Sequence, residues 1–381
     1  MQNFYFSNPV KIIFGKGTIG KIGPEAARAG RKALLVYGGG SIKKNGVYEA
    51  VTLALKENGV AWAEHPGVKP NPVLSHLREG VKLAKAEGCD LVVAAGGGSV
   101  IDESKAIAAG ALYGGDVWDF FCGRARVEKA LPLFTVLTLP ATGSEMNSGC
   151  VITNEETKQK YNAGGPALFP RASVLDPATT ITLPPAQVAN GAVDAIAHII
   201  EGYFTTKDAD AEMTDELVHA IARSVIASTR RIIADPADYN ARAAMMWSAT
   251  LALNGLASCG YGGTQFINHA IEHSLSALYD IAHGAGLAIV MPAWFRQHLE
   301  KDGPARLEKF GRAVFGAKGA DKTIAAFENF FKEAGAPVRL KQAGIPAADI
   351  PKIADNAVGL IKMWGLPQTK ADVEDILQRA A

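Results

Sequence analysis

The sequence predicts an α/β domain with a parallel sheet followed by an all-helical domain, and three features predict it. The 381 residues are 48% hydrophobic, enough to bury a large core and to divide into two domains. Up to about Leu183, β-rich apolar runs alternate with amphipathic stretches of helical length, which is how the strands and crossover helices of a parallel sheet read. Beyond Pro184 and Pro185 the chain turns to long Ala-rich segments with apolar residues at helical spacing. The expected domains are 1–183 (α/β) and 184–381 (helical), with the cleft between them the natural place for a ligand.

Strands are expected at residues 33–37, 91–95 and 135–139, and helices at 216–234, 241–257 and 325–334. Lys and Arg number 39 against 38 Asp and Glu, so no charge excess draws the chain to nucleic acid or an anionic membrane. No apolar run approaches membrane-spanning length, and residues 1–14 lack the basic flank and apolar core of a targeting signal. Cys89, Cys122, Cys150 and Cys259 form no C-x-x-C pair, which argues against a zinc ribbon or disulfide framework and for a reduced, cytoplasmic setting.

Two glycine-rich turns follow expected strands. Gly96, Gly97, Gly98 and Ser99 lead from a strand into a helix, leaving bare backbone N–H groups suited to a pyrophosphate. Gly38, Gly39, Gly40 and Ser41 follow the strand ending at Tyr37, where a dinucleotide's adenosine ribose would lie. Neither matches G-x-G-x-x-G or a Walker loop, and either turn alone also reads as a tight connection. A third polar cluster, Thr138 to Glu145, ends an apolar strand; it suits a ligand, or a helix start capped by Thr142 or Ser144.

Asp194 and His198 stand four residues apart, on one face of a helix, where they can grip one ion or simply pair with each other. His269, His273 and His283 crowd into fifteen residues of a chain with 8 histidines. One carboxylate with three imidazoles suits Fe²⁺ or Zn²⁺ with a position left open for a substrate oxygen. His65, His76, His219 and His298 have no comparable neighbours and read as surface or packed side chains.

Together GGGSVID (96–102), TLPATGSE (138–145), DAIAH (194–198) and HAIEHSLSALYDIAHGAGLA (269–288) resemble the iron-containing (group III) alcohol dehydrogenases, in family order and over essentially the whole chain. The segment YGGGSIKK (37–44) resembles the butanol dehydrogenase and broad-range aldehyde reductase branch.

The resemblance implies a Rossmann-like N-terminal domain and a dehydroquinate synthase-like helical C-terminal domain, with a metal held by Asp194, His198, His269 and His283. It makes His273 a candidate proton relay, or else a residue that orients its neighbours. For NADP or NAD it points to Gly38, Gly39, Ser41, Asn71, Gly97, Gly98, Ser99, Asp102, Thr138, Thr142 and Lys160, although an isolated lysine such as Lys160 also reads as a solvated surface charge. The implied reaction is hydride exchange between nicotinamide and a small alcohol or aldehyde.

Gly38 stands where NAD-selective members carry an acidic residue, so NADPH is the expected preference. The resemblance implies a homodimer paired through N-terminal strands, for which Phe4, Phe6 and the run 10–14 would supply an edge. The competing readings are a glycerol dehydrogenase- or dehydroquinate synthase-like enzyme and a non-catalytic nucleotide- or metal-binding protein. The carboxylate with three histidines argues against the first two, and the intact ligand positions against the third.

Overall fold

A computed structural model describes residues 1–207 and 210–381. Among the described residues eight strands form: β1 (Lys11–Phe14), β2 (Lys32–Tyr37), β3 (Ala61–Pro66), β4 (Leu91–Gly97), β5 (Leu133–Leu139), β6 (Gly149–Asn154), β7 (Gln159–Gly164) and β8 (Ala172–Leu175). Six of them make one sheet in the order β1-β8-β5-β4-β2-β3, every pair parallel. The chain falls into two compact units, Ser7–Leu183 with Ala237–Met246, and Met1–Phe6 with Pro184–Pro236 and Trp247–Ala381.

The apolar runs of β2, β4 and β5 are continuous because both sheet faces are covered by helices. Alternate residues Ala33, Leu35 and Tyr37 lie in register with Leu91, Val93 and Ala95, and all six join one core with Val47, Val51 and Leu55 of the helix Val47–Glu57. The period of two in the strands thus meets the helical period in the crossover. From β2 the chain passes to β3 on one side, and β4 returns to the other side of β2. The carboxyl ends of β2 and β4 therefore flank a topological switch point, where open α/β sheets bind ligands.

Besides this sheet, β6 and β7 form an antiparallel hairpin that the sequence reading did not anticipate. Its turn is set by Asn154, whose Oδ1 accepts from the N–H groups of Glu156 and Thr157 at 3.1 and 3.2 Å. The expected helix 241–257 is Tyr239–Ala252 instead. Asn254 Oδ1 accepts from Leu256 N at 3.0 Å, a local turn that competes with helix continuation.

In the helical unit, Pro185–Thr205 is buried on nearly every face, which explains why its sequence is apolar all round. Around it lie Glu212–Ala234, Ile267–Tyr279, His283–Asp302 and Ala320–Ala334. Phe204, Phe295, Phe310 and Phe327 interlock beside it, with ring centroids 4.8 to 5.7 Å apart. A helix clamped on all sides is a rigid mount for the polar side chains it carries.

Candidate metal centre and nucleotide site

Asp194 and His198 share a face of the buried helix Pro185–Thr205, and His269 and His273 share one on Ile267–Tyr279. The latter helix ends at Asp280, in a left-handed conformation, and His283 opens the next helix. Gly284 lets that new helix approach: a Cβ there would sit 2.1 Å from the Asn190 carbonyl oxygen. Only glycine brings His283 down onto Asp194.

Three imidazole nitrogens then surround one carboxylate oxygen. His198 Nε2, His269 Nε2 and His283 Nε2 lie 3.6, 3.8 and 3.5 Å from Asp194 Oδ1. These spacings are too long for hydrogen bonds and close to the separations across a site whose metal bonds are about 2.0–2.2 Å. Asp194 Oδ1 and His269 Nε2 are buried and have no hydrogen-bond partner among the described residues.

The opposite edges of two rings are held. His269 Nδ1 donates to Glu201 Oε2 and His283 Nδ1 donates to Glu272 Oε2. Glu201 Oε1 also accepts from Asn268 N at 2.6 Å, while Ser276 Oγ donates to Glu272 Oε1. With Nδ1 donating, each Nε2 points its lone pair inward, the carboxylate–histidine pairing common behind metal ligands. Sequence reasoning assigned no role to Glu201 or Glu272. The available signal was spacing, since Glu201 lies two helical turns beyond Asp194, and Glu272 one turn after His269.

Burial pushes the Asp194 carboxyl up, but His198, His283 and His269 outweigh it and hold the group at about 2. Burial takes His198 down to about 4. For His269 burial works the same way, yet Glu201 and Asp194 prevail and raise it. Asp194 is thus an ionised carboxylate beside a neutral His198, donors that fit a divalent transition metal, and the proton that Glu201 and Asp194 favour on His269 would leave Nε2 when a metal bound there. His273 is buried, its ring 5.7 Å from that of His283 and edge-on to Trp364 at 5.6 Å.

In the α/β unit, Gly38, Gly39 and Ser41 lie just after β2, Gly97, Gly98 and Ser99 at the end of β4, and Thr138 at the end of β5. Helix Gly98–Ala111 begins at the glycine turn, and a Cβ on Gly98 would meet Thr142 Oγ1 at 2.4 Å. That glycine therefore serves internal packing as well as opening the helix end. Both oxygens of buried Asp102 are engaged within the chain, Oδ1 by Ser144 Oγ at 2.6 Å and Oδ2 by Val151 N at 3.0 Å. Lys160 is not a solvated surface charge: it is 5% exposed, and its Nζ donates to Asn71 Oδ1 at 3.0 Å. Ser144 opens a single 3-10 turn whose N-cap is Gly143, not Thr142 or Ser144 as the capped-start alternative expects, and its N–H donates to Thr142 Oγ1 at 3.2 Å.

No helix among the described residues is long and apolar enough to cross a membrane, and the four cysteines are free.

Residues 9–177 match the family described as iron-containing alcohol dehydrogenase, and residues 188–381 match its C-terminal domain. The chain is 43% identical to a probable NADH-dependent butanol dehydrogenase of Bacillus subtilis, covering 94% of each. It is 38% identical to the NADPH-dependent aldehyde reductase YqhD of Escherichia coli, covering 93% of this chain and 92% of that one. Among solved structures, the NADH-dependent butanol dehydrogenase A of Thermotoga maritima superposes with a TM-score of 0.97 at 51% identity, over 100% of this chain and 99% of that one. Similarity over nearly the full length, with the sheet order and the clustered carboxylate and histidines behind it, places this chain in the iron-containing alcohol dehydrogenase family.

Proposed function

We propose that this protein is a metal-dependent, NAD(P)-linked oxidoreductase that interconverts small alcohols and aldehydes and prefers NADPH. The observation that carries the reading is the convergence of His198, His269 and His283 Nε2 on one oxygen of Asp194. Asp194, His198, His269 and His283 would hold one Fe²⁺ or Zn²⁺; when bound, that ion supplies Lewis-acid polarisation of the substrate oxygen, and the nicotinamide supplies or accepts hydride.

Glu201 and Glu272 keep two of the imidazoles in the tautomer that binds metal. His273, buried beside His283, relays the proton that the alcohol oxygen gains or loses. We read residues 1–183 as the dinucleotide domain and 184–381 as the metal domain. In the first, the N–H groups of Gly97, Gly98 and Ser99 receive the pyrophosphate, and Gly38, Gly39 and Ser41 the adenosine ribose. Asn71, Asp102, Thr138, Thr142 and Lys160 complete the cofactor set, with Lys160 bringing an ammonium to a phosphate or ribose oxygen. The free cysteines suit a cytoplasmic protein.

The test pairs metal analysis with aldehyde-dependent NADPH oxidation. His269→Ala and His283→Ala should abolish activity and sharply lower metal content with the circular dichroism spectrum unchanged. His273→Ala should keep the metal and lose about 10²–10⁴-fold in kcat. Full activity at unchanged metal content in the first two variants would overturn the assignment.

A further inference from the structure

Among the described residues, a second cluster of metal-ligating side chains lies in the α/β unit and takes no part in the reaction above. His65 is on β3, His76 on the helix Leu74–Ala86 and Glu103 on the helix Gly98–Ala111. His65 Nε2 and His76 Nδ1 both point at Glu103 Oε1, at 3.1 and 2.6 Å. The two rings stack with centroids 4.1 Å apart. Glu103 is fully buried, and its other oxygen, Oε2, has no hydrogen-bond partner among the described residues.

An ion pair alone leaves this geometry half explained. It uses one carboxylate oxygen twice and strands the other in the interior, which is costly for a buried polar atom. His76 Nε2 lies 3.1 Å from the Pro66 carbonyl and donates to it, which turns Nδ1 toward Glu103, the outer contact that a metal-bound histidine usually makes. Room for the His65 ring comes from Gly80, where a Cβ would sit 2.8 Å from Nε2.

We propose that His65, His76 and Glu103 form a second divalent-metal site, suited to Zn²⁺. Two imidazoles and a carboxylate are a zinc donor set, whereas Mg²⁺ and Ca²⁺ favour all-oxygen sites. Zinc with bonds of about 2.1 Å separates its tetrahedral ligands by ~3.4 Å, so the donors must part by less than about 1 Å. Glu103 Oε2 is available to take the ion, and the partly exposed edge of His76 leaves a fourth position for water. The ion ties together β3 and two helices beneath Gly67, whose N–H donates to the carbonyls of Tyr37 and Gly38 at 3.0 and 3.2 Å. Its role is therefore to brace the loop behind Gly38.

The test strips the full-length protein with a chelator, restores Zn²⁺ at low free concentration and counts bound equivalents by elemental analysis after dialysis. Native protein should hold one equivalent more than His76→Ala and one more than Glu103→Gln, and added zinc should raise Tm further in native protein than in either variant. Asp194→Asn should keep the equivalent at His65, His76 and Glu103, so loss of the catalytic-metal reading and loss of this one are separable. Circular dichroism of the zinc-free proteins checks folding, and His76→Gln replaces any variant that does not fold. Equal zinc content in native protein and the His76 variant would overturn the proposal.

Discussion

At the residue scale, we propose that Gly38 bears on cofactor choice. No acidic side chain follows β2, and the nearby Glu64 accepts from the hydroxyls of Tyr37 and Tyr48, each at 2.5 Å, with Lys43 3.7 Å away. Lys43 and Lys44 are exposed beside the turn, so the local balance suits a 2′-phosphate. The B. subtilis relative is named for NADH and the E. coli one for NADPH. Native enzyme should show higher kcat/KM with NADPH, and Gly38→Asp should shift the ratio toward NADH. The new Cβ meets the Val68 carbonyl at 3.3 Å, a contact that a small shift absorbs. Higher kcat/KM with NADH in native enzyme would refute this account of Gly38.

Lys105 offers a second residue-scale prediction. Its buried Nζ donates to Ser144 Oγ, Asn147 O, Asn147 Oδ1 and Gly149 O at 2.8 to 3.0 Å. Burial pulls the amine down to about 8 against the attraction of Asp102, so its charge is held at some cost. Loss of these hydrogen bonds outweighs that relief, and Lys105→Met should lower unfolding stability by about 2 kcal/mol in urea titration. An unchanged midpoint would show that the amine only compensates its own burial.

Helix Ala320–Ala334 shows how an element is pinned. Glu328 receives Arg296 Nη2 at 2.6 Å, Lys332 Nζ at 2.9 Å and Arg339 Nη2 at 3.0 Å. Burial raises its carboxyl, but Lys332, Arg296 and Arg339 prevail and hold it at about 2 instead of the ordinary 4.5. A lowered carboxyl stabilises the fold above pH 4.5, and that contribution is lost as pH falls toward 2. Glu328→Gln should therefore cost about 2 kcal/mol at pH 7, and the gap from native should narrow between pH 4.5 and pH 3. A gap independent of pH would point to packing as the cause.

For the whole molecule, β1 is the outer strand of its sheet, next to β8 alone. Phe14 on it is 41% exposed, and in the segment Met1–Phe6 the side chains of Phe4, Tyr5 and Phe6 are exposed. A bare parallel edge and exposed aromatic rings suit pairing with a second copy. We propose a homodimer. Light scattering at micromolar concentration should give about twice the chain's 40.1 kDa, and a monomeric mass would exclude the pairing.

The sequence by itself determined the fold class, because the apolar runs of strand length in β2, β4 and β5 and the helical spacing of apolar residues beyond Pro184 are local features. It also determined the candidate ligand types, since Asp194 with His198 and His269 with His273 each share a helical face whatever surrounds them. Tertiary structure decided the rest. Whether His283 reaches Asp194 depends on the contact of Gly284 with Asn190, and whether Glu201 holds His269 depends on two helices meeting 68 residues apart. The burial of Lys160 and the meeting of His65, His76 and Glu103 likewise belong to packing, because residues distant in the chain converge only when strands and helices close on one core.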